Sequence, residues 1–390
     1  MEEFEKGNGM LIRALATAIG LSLIGLSLPV AANGQSIVIG ASIPDTGPAA
    51  TPAIWQRWGY QIALDEANAK GGVLGKKVEM LAYDNRCNPS EAVNVANKLI
   101  EAKVVAIVGA HCSSATLATM PLVAAARIPL VDGVASSPKI TELSGVGGNE
   151  WTFRINPSDD DMMEALGAYL GQGSKIKRVA ILGEDTDFGR GGAAAFAAVA
   201  KKNGVEIVST DFHPQSYPDF TAPLTRIQQT KPDAIALFQL AGDQLNFLRN
   251  AMQLGVKIPY IGRFDPGGNN LQIIQAGGME GSITAWTYSY LVDTPANKAF
   301  AAEVEKLHKT TPVLQTWAGY DVMRLVLKAI GDAGSTDPTA IRDALKHIDF
   351  TNVMGASVKF DDHNQGGKLV LIEGVADKTV KILKQVSLKN

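Results

Sequence analysis

Residues 105–116 read VAIVGAHCSSAT (Val105 to Thr116): an apolar run that fits only a buried strand passes directly into glycine, cysteine and two serines. Helical spacing then carries on from Thr116 to Ala126, so the segment is a strand delivered into the start of a helix. The same unit recurs on either side. IVIGAS (Ile37 to Ser42) is a short apolar strand, and Trp55 to Lys70 is helical up to the stop signal Gly71-Gly72. VEMLAYD (Val78 to Asp84), a helix from Ser90 to Glu101 and a strand from Val104 to Val108 follow. Strands alternating with helices across short polar connections predict parallel strands covered by helices on both faces, the doubly wound α/β class.

The rhythm starts again after Asn156. RVAILG (Arg178 to Gly183), VEIVSTDF (Val205 to Phe212), AIALF (Ala234 to Phe238), PYIG (Pro259 to Gly262) and GSITAW (Gly281 to Trp286) read as strands separated by helices such as Gly192 to Lys202 and Gln244 to Leu254. Helices return at Pro295 to Lys309, Gln315 to Ala333 and Pro338 to His347, and a strand-rich tail runs from Val358 to Val386. That tail is too short to fold alone and is expected to complete the two sheets. Without a low-complexity linker, the pattern predicts two lobes joined by crossing strands. The bounds are 36–155 with 287–354 for lobe one and 156–286 with 355–390 for lobe two.

With 390 residues, 46% of them hydrophobic, and a formal charge of -3, the chain has material for about two globular domains. Lys and Arg are scattered singly among acids, which excludes the basic face that nucleic acid requires. The N-terminal segment is a separate matter. From Met10 it reads MLIRALATAIGLSLIGLSLPVAANGQ: Arg13, an apolar run from Leu15 to Leu28, then small residues. This is the pattern of a cleavable export signal, residues 1–32, cut after Ala32. Glu2 to Glu5 do not suit such a leader, so Met10 competes with Met1 as the start. An uncleaved anchor would need a longer apolar span of about 20 residues. Cys87 and Cys112 are the only cysteines, and in an exported chain an even count predicts one disulfide, with two buried thiols as the alternative.

In open parallel sheets ligands gather beyond the carboxyl ends of strands. Ser113 and Ser114 stand at such a point, at the N-cap or first turn of a helix, where unpaired N–H groups and the positive end of the dipole favour an anion. The plain alternative is that they cap their own helix. IPLVDGVASSPKIT (Ile128 to Thr141) repeats the arrangement with Ala135, Ser136 and Ser137 before a proline-led helix. Two adjacent strand ends offering hydroxyls predict a clamp for a small carboxylate.

DNRCNPSEAVNVANKLIEAKVVAIVGAHCSSATLATMPLVAAARIPLVDGVASSP (Asp84 to Pro138) resembles the periplasmic branched-chain amino acid binding proteins of ABC importers. IPDTGPAA, DEANAKGGVLGKKVEM, TDFGRGGAAAF and GYDVMRLVLKAIGDAGS extend the likeness over nearly all of the chain after the leader. The resemblance implies the type I periplasmic binding protein fold, two doubly wound lobes on a hinge, and a monomer in the periplasm serving a membrane permease. It places the family's lobe-one disulfide at Cys87 and Cys112. It makes Ser113 and Ser136 donors to a ligand carboxylate and the Ala135 carbonyl an acceptor for an α-ammonium group. Phe188 stands where the family has a covering tyrosine, and Pro52 and Leu240 replace two further aromatic residues. The acid expected to pair with the ammonium falls in GRFDPGG, on Asp265 if the loop carries one extra residue and otherwise on Phe264. An unpaired buried ammonium would abolish useful affinity, so this position decides the ligand class. Asp265 in the cleft means an amino acid, branched-chain or otherwise aliphatic. Asp265 turned away means a carboxylate without an amine, such as an aromatic acid, with Arg263, Phe264, Phe188 and Trp286 lining the slot.

No nucleophile elbow, zinc-binding His-Glu-x-x-His or phosphate loop is present, and the five histidines are single, so neither catalysis, a metal nor a cofactor is expected. A receptor-docking sensor of the same fold is the remaining alternative.

Overall fold

The computed structural model describes residues 36–388, and the leader expected at 1–32 lies outside them. Strand β1 (Ile37–Ile43), helix α1 (Ala50–Ala69), β2 (Val78–Asp84), α2 (Pro89–Glu101), β3 (Ile107–Gly109), α3 (Ser113–Ala126), β4 (Leu130–Asp132), α4 (Pro138–Leu143) and β5 (Thr152–Arg154) form the first half. Their strands assemble in the order β2-β1-β3-β4-β5, all parallel. The chain then builds α5 (Asp159–Leu170), β6 (Arg178–Glu184), α6 (Asp187–Lys202), β7 (Glu206–His213), α7 (Thr221–Gln229), β8 (Ala234–Phe238), α8 (Ala241–Gln253), β9 (Tyr260–Arg263), α9 (Leu271–Gln275) and β10 (Ile283–Trp286). Helices α10 (Pro295–His308), α11 (Leu314–Ala333) and α12 (Pro338–Lys346) follow, then the short β11 (Phe350–Thr351) and β12 (Ser357–Val358), and finally β13 (Leu369–Ala376) and β14 (Thr379–Ser387).

The second sheet runs β14-β13-β10-β9-β8-β6-β7. It is parallel except where β13 meets β10 and β14. The tail therefore does not complete both sheets as its sequence suggested. β13 and β14 extend only the second, β11 and β12 pair with each other, and one isolated bridge from Arg154 to Gln365 reaches the first. A hairpin with a tight turn pairs with itself at once, and its buried face, Val370 to Val375, fits beside β10.

Strand order reverses between β1 and β3 in one sheet and between β6 and β8 in the other, and ligand crevices form at such reversals. After β10 the chain returns to the first lobe, where α11 lies across α1. A Cβ on Gly59 would stand 2.1 Å from the Thr316 carbonyl, and one on Gly319 would stand 2.1 Å from that of Gln56. Only glycine permits so close a crossing. Gln365 ties the crossing segments, donating to the carbonyls of Arg154 and Asn156 while accepting from Arg154 Nε at 2.7 Å. No helix among the described residues is long and apolar enough to span a membrane.

Candidate functional site

A cleft of about 770 Å³, counting its mouth, opens where the strand ends of the two sheets face each other. Ser113, Ser114, Ala135, Ser136, Phe188, Asp265, Arg263, Trp286 and Leu240 all line it. Phe264 does not. It is fully buried in the core of the second lobe. Beyond the end of β9 side chains alternate, so Arg263 and Asp265 face the cleft and the residue between them faces away.

The Ser113 side of the cleft is built on β3 and α3. Gly109 closes β3 with φ 110, and a Cβ there would lie 2.1 Å from the Ser42 carbonyl, so the strand can turn into the helix only with glycine. The Cys87–Cys112 disulfide then fixes the helix start to the loop after β2, with Cα atoms 5.5 Å apart. Helix α3, starting after Cys112, has no side-chain cap, as is also true of α1, α4, α7, α8 and α9. Ser113 and Ser114 therefore do not cap their own helix. The N–H groups of Ser113, Ser114 and Ala115 have no acceptor among the described residues and remain available to an anion.

The two serine clusters are not equivalent. Ser113 Oγ accepts from the N–H of Ser136 at 3.2 Å and of Ser137 at 3.1 Å, leaving its own proton to donate into the cleft. Asp132 takes the N–H groups of Val134 and Ala135, and the Thr116 hydroxyl. The amides of the second strand end are thus already bonded, so of the two serine clusters only the one on α3 offers free amides among the described residues. Ser136 Oγ donates to Asp159 at 3.0 Å. The carbonyl of Ala135 accepts nothing among the described residues.

Ser114 faces the other lobe. Its Oγ donates to Asp187 Oδ2 at 2.9 Å and accepts from the Asp187 N–H at 3.2 Å, and Lys139 Nζ reaches the other carboxylate oxygen at 2.9 Å. These contacts bridge the two sides of the cleft mouth. Phe188, the next residue, covers the interior, half-buried.

Opposite the serines stands Asp265. Gly267 N–H donates to its Oδ1 at 2.8 Å, and its own N–H donates to Gln244 Oε1. The residue is 7% exposed and has no cation among the described residues. Burial pushes its carboxyl up to about 6, only partly opposed by the Gly267 hydrogen bond. Arg263, buried as well, stacks 5.1 Å over Trp286 and stands 3.7 Å from Asp159, while its Nε is unpaired. Burial also raises Asp159 to about 6, with Arg263 the leading opposing influence.

His111 was the one histidine that the sequence placed beside the serines, as a polar contact, whereas the lining glutamines Gln239 and Gln315 carried no sequence signal. His111 Nδ1 lies 2.7 Å from Gln56 Oε1, and Gln56 Nε2 lies 2.9 Å from the Tyr60 hydroxyl. Gln315 at the start of α11 and Gln239 at the end of β8 each hold a buried, unpaired amide oxygen. Glutamine in a loop or first turn is unremarkable in sequence, and only the convergence of chain segments far apart brings these residues to one cleft. Among the described residues no group of three His, Cys, Asp or Glu could hold a metal.

Residues 36–377 match the family model described as periplasmic binding protein. The leucine-, isoleucine-, valine-, threonine- and alanine-binding protein of Pseudomonas aeruginosa is 25% identical over 84% of this chain and 86% of its own length. A solute binding protein of an ABC transporter from Rhodopseudomonas palustris, solved with 3,4-dihydroxybenzoic acid, superimposes with a TM-score of 0.81 at 25% identity, covering 91% of this chain and 98% of its own. A branched-chain amino acid transporter substrate binding protein from Streptococcus pneumoniae, solved with isoleucine, gives 0.80 at 25% identity, with 91% of this chain and 100% of that one covered.

Proposed function

The chain belongs to the periplasmic binding protein family of ABC-type transporters, and we propose that this member captures a small α-amino acid with a branched or otherwise aliphatic body. One observation carries the reading. Asp265 is a buried carboxylate in the cleft wall with no cation, set opposite the free amides of α3. A ligand bearing a carboxylate and an ammonium supplies both missing charges. The α3 amides and the Ser113 hydroxyl hold the carboxylate, Asp265 and the Ala135 carbonyl hold the ammonium, and Phe188, Trp286 and Leu240 pack the body. Relatives named for leucine, isoleucine, valine, threonine and alanine support the same class.

In this reading lobe one (36–155 with 287–354) binds the carboxylate first. Lobe two (156–286 with 355–390) then swings in with Phe188 and Asp265, and Asp187 bonds to Ser114 and Lys139. The ligand shifts the equilibrium because only the closed form makes both sets of contacts. A monomer released into the periplasm by cleavage after Ala32 presents that form to its permease.

A second reading is favoured by Arg263, whose unpaired Nε and stacking on Trp286 suit an aromatic carboxylate, the class bound in the Rhodopseudomonas relative. Thermal-shift titration of unfolded and refolded, ligand-free protein separates the two. Leucine should stabilise it where 4-methylpentanoate does not, and phenylalanine should do so over 3-phenylpropanoate if a larger body fits. Stabilisation by the deaminated acids alone refutes the amino-acid reading.

A further inference from the structure

We infer that the cleft reads an uncharged hydrogen-bonding group on the ligand's side chain, a hydroxyl or a carboxamide, through His111 and Gln315. This rests on the amino-acid reading and goes beyond it. Once the zwitterion is assigned to the α3 amides, Ser113, Ala135 and Asp265, the unpaired groups of His111 and Gln315 still line the cleft and are left for the side chain.

His111 is 3% exposed. With Gln56 Nε2 directed at Tyr60, Gln56 Oε1 accepts from His111 Nδ1, which therefore carries the proton. Nε2 is left as an acceptor with no partner among the described residues. Gln315 is 8% exposed, with an unpaired buried Oε1 and no bond to its Nε2 among the described residues. A hydrocarbon side chain would seal these groups from water without replacing its hydrogen bonds. A charged one fares no better at these two residues. Burial holds the imidazole neutral, its pKa lowered to about 4, and Asp132, the acid that acts on it, already accepts three hydrogen bonds. A neutral donor and acceptor is the group that satisfies both residues.

The test is calorimetric titration of refolded, ligand-free protein with two pairs of near-equal shape, threonine against valine and asparagine against leucine. At least one polar member should bind about tenfold or more tightly than its hydrocarbon partner. Gln315→Leu should remove that preference, as should His111→Leu. The latter places leucine at φ 73, so Gln315→Leu is the variant that remains interpretable if the other fails to fold. Valine and leucine binding as tightly as threonine and asparagine would overturn this inference alone. No binding by any of the four, with a deaminated acid binding instead, would overturn the amino-acid reading and this one with it.

Discussion

Replacing Asp265 with asparagine should move stability and affinity in opposite directions. In the empty cleft the carboxylate is buried without a cation, and its pKa rises from 3.8 to about 6. That difference corresponds to about 3 kcal/mol held against the folded state at neutral pH. The native state binds the proton more tightly than the unfolded chain, so the group's contribution is fully present below about pH 3.8. It is lost as pH rises to about 6. Asp265→Asn keeps an acceptor for the Gly267 N–H and discards the charge. Ligand-free variant should therefore be more stable than the parent at pH 7, by up to about 3 kcal/mol, with the advantage vanishing near pH 4. Binding should respond the other way. Removing one member of a buried ion pair costs about 3–5 kcal/mol, so Kd for the tightest-binding amino acid should rise by about a hundredfold to a few thousandfold. In the parent protein, affinity should hold above about pH 6 and fall about tenfold for each pH unit below it. Urea denaturation of refolded, ligand-free protein and calorimetric titration, both across pH 4 to 8, measure the two effects. A ligand-free variant less stable at pH 7, or a Kd raised less than tenfold, would mean that the carboxylate is a structural loop acid and that no ammonium is read there.

Ser113→Ala removes an acceptor shared by two backbone N–H groups and the hydroxyl proposed to donate to the ligand, and should weaken binding about tenfold or more on titration. Ser136→Ala should act less by itself, because that hydroxyl donates to Asp159, and an unchanged Kd in the double variant would place the carboxylate elsewhere. Cys87→Ser opens a crosslink between residues 25 apart and should lower stability by about 3.5 kcal/mol. Equal melting temperatures with and without reductant in the parent would argue against that figure. Asp187→Ala severs the contacts with Ser114 and Lys139 at the cleft mouth. These groups are partly exposed, so the loss is about 1 kcal/mol, a Kd raised roughly fivefold, and no change in Kd would show that the bridge does not favour closure.

Local order was legible in the residues. Most of the longer strands signalled themselves as short apolar runs and several helices by spacing and by stops such as Gly71-Gly72, while β5, α5, α7 and α9 were not picked out, and the alternation named a parallel doubly wound class before any contact was known. The choice of VAIVG and IPLVD as strands that end at a binding point followed from the same logic, because hydroxyl residues enter the following helix at the sheet's carboxyl edge. These readings depend on properties carried within a few residues of chain: backbone sterics, hydrophobic period and helix-end chemistry.

What the tertiary structure decided is which of the groups so placed are still free. Ser113, Ser136 and Ser114 look alike in sequence, yet the first keeps a proton for the cleft, the second donates to an acid 23 residues away, and the third bonds across the mouth to Asp187. Asp265 rather than Phe264 faces the cleft because the chain keeps alternating past β9. The hairpin β13–β14 joined one sheet instead of both, and His111 and Gln315, 204 residues apart, line one cleft only in the folded chain. A hydrogen bond or an ion pair saturates its members, and whether a group is saturated depends on partners that folding brings from distant parts of the chain. The sequence alone determined the doubly wound class and pointed to the strand ends that line the cleft, and only the folded chain determined how the tail joins the sheets and which atoms in the cleft remain unsatisfied.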